Sequence, residues 1–196
     1  AFSGRIVEQA CFSTTSATSS ATTLCPGGKE RQFTGNAAEA CVDLCSHGTH
    51  VASIAAGQDA IRPGVAPEAD IIAVQVYSRF TSAAQCGAGQ TPCLIAFSSD
   101  IIDAIDYVLT LHEEAPVAAL NLSFGGGAYT SPCDSSVYAA SLDQLAAAGI
   151  LAVASTGNDS ASSAKKVPAA SPRGGLMLTF DRRFTCSQSM NISSMG

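Results

Sequence analysis

The chain has 196 residues, 46% of them hydrophobic, with 10 basic and 16 acidic side chains giving a net charge of −6. That length suits one globular domain, or a large piece of one, with apolar content enough to bury a core. An acidic balance without any Lys/Arg cluster speaks against nucleic acid, whose phosphates need concentrated positive charge, and no apolar run reaches the about 18 residues that would span a membrane.

The start, AFSGRIVEQA, has neither a basic leader nor an apolar signal core, so a targeting segment is expected to be removed or to lie outside this stretch. Residues 11–41 are rich in Ser, Thr, Gly and Ala, lack a sustained apolar period and are bracketed by cysteines, which predicts a stapled surface loop. From Ser46 the texture changes. Val51, Ile54 and Ala55 fall at helical spacing and Gly57 stands where a helix would end, so His47 and His50 occupy its first turn. The nearly continuous apolar run Ile71–Tyr77 predicts a strand buried on both faces of a parallel sheet.

SSDIIDAIDYVLTLHEE offers Ser98, Ser99 or Asp100 as N-cap and sets Ile101, Ile105, Val108 and Leu109 along one side, a helix pattern. Val117–Ser123 reads as a second strand, SSVYAASLDQLAAAG as a helix closed by Gly149, and Ile150–Ser155 as a third strand. Strands alternating with helices predict an α/β fold, mostly a parallel sheet with helices on both faces. From PAASPRGG onward the rhythm breaks, no element is predicted, and no internal repeat occurs.

Eight cysteines (Cys11, Cys25, Cys41, Cys45, Cys86, Cys93, Cys133, Cys186) are even in number and scattered rather than set in CxxC pairs. This favours disulfides, and so a secreted or periplasmic protein, over zinc. Proximity suggests Cys11–Cys25, Cys41–Cys45 and Cys86–Cys93; buried free thiols are the alternative.

In such a sheet the reactive site belongs in the crevice beyond the carboxyl ends of the strands. NLSFGGG follows one strand, and its glycines leave backbone open for a ligand strand to pair with. TGNDS follows another: Gly157 permits a tight turn and Asn158 is a candidate oxyanion donor. Either is also an ordinary strand-to-helix turn. The histidines have three readings. His47 and His50 share a helix face near Cys45, but no carboxylate or further His completes a zinc sphere; one imidazole makes a capping contact; or one acts as general base.

The order of the segments decides among them. HGTHVASIAAG resembles the histidine box of the subtilisin-like serine proteases (H-G-T-H-V-A-x-x-x-A-G). GVAPEADIIAVQV resembles the strand that comes after it there, NLSFGG the substrate-binding N-x-S-x-G-G strand end, and STGND the A-G-N turn with the oxyanion asparagine. The resemblance runs from about Ser46 to Pro168, in family order. It implies a three-layer subtilisin-like fold, incomplete here, with 1–45 a cysteine-bracketed loop region, 46–168 the family core and 169–196 a divergent tail. It makes His47 the general base, His50 a packing residue and Asn158 the oxyanion donor. Ser123, Phe124 and Gly125 would offer backbone to the substrate, Gly126 would complete the bend beside the specificity pocket, and Pro168 would be a candidate cis proline.

Two family features are missing. No G-T-S-M-A nucleophile box occurs: Ser189 and Ser194 follow no Gly-Thr, and Ser194 lies too close behind Asn158. No D-[ST]-G turn precedes His47; Asp43 sits in the cysteine loop, and SGRIVEQACFS resembles the family segment just after the aspartate strand. The chain therefore resembles the middle of a catalytic domain, inactive by itself. The expectation is a secreted serine endopeptidase of the Ser-His-Asp type acting on proteins or peptides. The alternative is a non-catalytic module that binds extended peptides by strand addition. No cofactor is required; calcium is possible by family, though no run resembles a dedicated site.

Overall fold

The computed structural model describes Phe2, 4–39, Leu44, 46–125, 136–155 and 190–191. The chain divides into two compact units, Ala1–Ala104 with Asn191–Gly196, and Ile105–Met190. The first contains β1 (Ile6–Phe12), β2 (Ala21–Thr23), β3 (Arg31–Gln32), α1 (Ser46–Ala56), β4 (Ile71–Gln75), β5 (Tyr77–Phe80), α2 (Ala83–Cys86) and β6 (Cys93–Ala96). The division falls within α3 (Ser98–Glu114); β7 (Ala119–Leu122), α4 (Ala139–Ala147) and β8 (Leu151–Ala154) belong to the second unit, and a two-residue β9 is Met190–Asn191.

In the first unit β1 runs parallel to β4, from Ile6↔Ile71 to Cys11↔Gln75, with β3 antiparallel on its other side. A separate antiparallel ribbon runs β2-β5-β6. The apolar run Ile71–Tyr77 is thus not one strand. The strand breaks at Val76, and the side-chain amide of Gln75, the last residue of β4, exchanges hydrogen bonds with the Tyr77 backbone, accepting from the N–H at 3.2 Å and donating to the carbonyl at 3.4 Å. The amide stands in for ladder partners at the step from one sheet to the other.

The stretch 11–41 is also more ordered than a surface loop. It holds the end of β1, β2 and β3, because its threonines suit strands and its cysteines turn inward. Cys11 bonds Cys25, and both are buried with Ala37. Cys86 bonds Cys93 inside a second cluster with Ala21, Phe80 and Ile95, against which Phe97 packs. Both pairings match the expectation; Cys41–Cys45 lies outside the described residues. Closing short loops of this kind stabilises by roughly 2–4 kcal/mol each.

Helix α3 forms where its pattern predicts and buries Ile101, Ala104, Ile105 and Val108, a stripe at spacings of three and four. Beyond its end the His112 Nδ1 accepts the Val117 N–H at 2.9 Å, turning the chain toward β7. In the second unit β7 and β8 pair in parallel, Ala119↔Leu151 to Leu122↔Ala154. Helix α4 buries Ser141 and Leu145 and ends at Gly149, whose φ of +80° suits glycine there. The Ile150 N–H then donates to the Leu145 carbonyl, closing the turn into β8. The architecture is mixed α/β, with parallel pairs and an antiparallel ribbon.

Candidate active site

Helix α1 carries His47 in its first turn, half-buried, and His50, which is exposed rather than packed. The opposite end of this helix is pinned. Its last carbonyls would be orphans in an isolated helix, yet each has a donor. Ser53 O receives the Gly57 N–H at 2.9 Å, Ile54 O that of Val65 at 3.0 Å and Ala55 O that of Ala66 at 2.8 Å. Ala56 O receives Arg5 Nη2 at 2.6 Å, and Gly57 O receives the Gly64 N–H at 2.8 Å.

Two of these partners must be glycine. A Cβ on Gly57 would stand 2.4 Å from Ser53 O, and one on Gly64 would stand 2.6 Å from Gly57 N. The returning segment 64–66 therefore lies directly on the helix end. Arg5, at the entry to β1, adds a cation where the helix dipole is negative and also donates through Nη1 to Ala69 O. This clamp fixes the helix that bears His47 to the start of the β1–β4 pair, where Ile71 N–H donates to Arg5 O at 2.7 Å.

In the second unit the candidate substrate strand, Ser123–Gly125, leaves the end of β7 beside the end of β8. Ser123 Oγ donates to Asn121 Oδ1 at 3.0 Å. Ser155, directly after β8, donates its hydroxyl to Phe124 O at 3.1 Å and its N–H to Leu122 O at 3.3 Å. His47 belongs to the first unit and Ser123, Phe124 and Gly125 to the second. Gly126, Asn158 and Pro168 lie outside the described residues, as do Asp43, Ser189 and Ser194; among the described residues the cis peptide is Thr91–Pro92. Among the described residues no three His, Cys, Asp or Glu side chains are grouped to hold a metal ion, and no helix is long and apolar enough to cross a membrane.

A buried polar knot holds the segment after β1. Ser13 and Ser78 are both fully buried, their hydroxyls 3.0 Å apart, and Ser13 Oγ donates to Tyr77 O at 2.7 Å while Ser78 Oγ donates to Thr14 O at 2.8 Å. Asp100, in the first turn of α3, takes both donors of Thr14. Burial raises its pKa, more than the Thr14 hydrogen bonds and the Arg31 charge lower it. Burial likewise raises the Tyr77 phenol. Sequence reading did not single out Arg5, Thr14 or Ser155. Ser155 alone had a local signal, since it is the first polar residue after a strand that leads into the STGN turn.

The family model for the Subtilase family of S8 peptidases matches residues 31–177. The chain belongs to the subtilase family. The matched span includes His47 and α1, the β7 end with Ser123–Gly126, and Asn158. Subtilases are serine peptidases, a family whose substrates are proteins or peptides, and the chain is serine-peptidase-like at that level. No curated protein and no solved structure matches it.

Proposed function

We propose that this chain is the central part of the catalytic domain of a secreted subtilisin-like serine endopeptidase. Family membership carries the reading. It is supported by a histidine helix whose last three carbonyls are met by Val65, Ala66 and Arg5 and by a strand end tied to its neighbour at the carboxyl edge of a parallel pair. The two disulfides favour an oxidising compartment.

In this reading His47 takes the proton of a serine hydroxyl as that oxygen attacks the scissile carbonyl. The tetrahedral oxyanion accepts a hydrogen bond from the Asn158 amide. His47 then returns its proton to the leaving amine, and a water repeats the cycle on the acyl-enzyme. Ser123–Gly126 hold the substrate as an added strand, so that it meets these groups in extended form. The nucleophile and the orienting aspartate come from sequence outside these residues, which carry neither box. Acyl transfer of this kind uses no cofactor.

The test is hydrolysis of an unfolded protein by the native secreted product and by its Asn158→Ala variant. The variant is expected to lose about 10²–10³-fold in kcat with KM little changed. Equal turnover would overturn the oxyanion assignment. A folded native product that binds extended peptides but cleaves none would establish the binding module instead.

A further inference from the structure

Parallel pairing of β7 with β8 stops at Leu122↔Ala154. One ladder bond lies beyond it, from the Ser155 N–H to Leu122 O. The Phe124 N–H, placed to carry the ladder on, turns back and donates to Leu122 O of its own strand at 2.8 Å. A three-residue turn of this kind bends the chain, and here it diverts β7 at the point where the proposed substrate strand begins. The Phe124 carbonyl is met by the Ser155 hydroxyl at 3.1 Å. A Cβ on Gly125 would stand 3.6 Å from that same oxygen, so the strand end passes within van der Waals reach of it.

We infer, on the reading proposed above, that Ser155 is a positioning and specificity-determining residue whose hydroxyl sets the gap between the diverging ends of β7 and β8. On one side of the gap is the backbone that pairs with the substrate. In sequence Asn158, the oxyanion donor of that reading, comes three residues after Ser155. The Ser155 hydroxyl adds a side-chain hydrogen bond to Phe124 just past the last ladder bond, so its loss loosens the start of the substrate strand while leaving the pairing of Ala119–Leu122 with Leu151–Ala154 intact. Extended substrates feel that release because they bind along Ser123–Gly125. A substrate of one residue does not reach this strand as a pairing partner.

The experiment uses the native secreted product. A library scan supplies its best tetrapeptide anilide, and kinetics are measured on that compound and on the acetylated single-residue anilide with the same terminal residue. Ser155→Ala is expected to raise KM for the tetrapeptide about three- to ten-fold, the range for one neutral hydrogen bond. Its kcat and its single-residue kinetics stay near wild type. Ser155→Thr, which keeps the hydroxyl, restores KM. An unchanged KM, or equal losses on both compounds, would overturn the inference. If Ser155→Ala does not fold, Ser155→Cys, with a weaker donor, carries the same comparison. A wild-type product that cleaves neither compound overturns the proposed function itself, and this inference with it.

Discussion

Asp100, only 1% exposed, accepts both the backbone N–H of Thr14 at 2.9 Å and its hydroxyl at 2.8 Å. One carboxylate at the start of α3 thereby holds the chain just beyond β1, within the stretch that joins β1 to the cysteine-bonded β2–β3 region.

The same contact predicts a pH dependence. Burial holds the folded pKa of Asp100 above its ordinary value. A carboxyl raised on folding contributes stability that is fully present below its unfolded pKa, about 4, and is lost as pH rises through the folded pKa. Protonation need not break the clamp, because the acid O–H can donate to the Thr14 hydroxyl while the other oxygen keeps the N–H. Asp100→Asn reproduces that neutral arrangement at every pH. The melting temperature of the variant should therefore gain on wild type as pH rises from below 4 to neutral. Parallel curves would show that ionised Asp100 carries no penalty.

The clamp on α1 predicts a local effect. Arg5 donates to Ala56 O and Ala69 O, joining the end of the histidine helix to the turn before β4. Arg5→Gln should cost about 1.5–3 kcal/mol, as expected for a hydrogen bond with a charged partner. It should also speed hydrogen exchange at the amides of Gly57, Val65 and Ala66 more than at those of β5 and β6. Denaturant unfolding and native-state exchange measure the two effects. Uniform exchange across the unit would mean that Arg5 supports only global stability.

These contacts mark how far the sequence could be read. Helix α1 from Ser46 to its stop before Gly57, helix α3 and strand β8 were legible because neighbours in sequence determine them, through a 3.6-residue period, a glycine stop or an apolar run between turn signals. The histidine box is local and so can be read from sequence, which places His47 on α1 but does not test its role. Residues 11–41 misled because a Ser/Thr-rich composition serves loops and strands alike, and only the pairing of β2 with β5 and of β3 with β1 distinguishes them. The break at Val76 hid inside an apolar run, where only the change of pairing partner from β1 to β6 marks it. Arg5 with Ala56, and Thr14 with Asp100, are contacts between distant parts of the chain, and no spacing rule reaches that far. The Asn158 reading rests on its motif alone, because the residue lies outside the described residues.

The central claim is that His47 is the base of a serine nucleophile. It is tested most directly by treating the native full-length protein and its His47→Ala variant with a fluorophosphonate, then measuring the mass of the labelled peptide. The account predicts stoichiometric labelling of one serine lying outside these 196 residues, with the rate falling by several orders of magnitude in the variant, because the hydroxyl then has no base to take its proton. Equal labelling of both proteins, or none of a folded wild type, would contradict it.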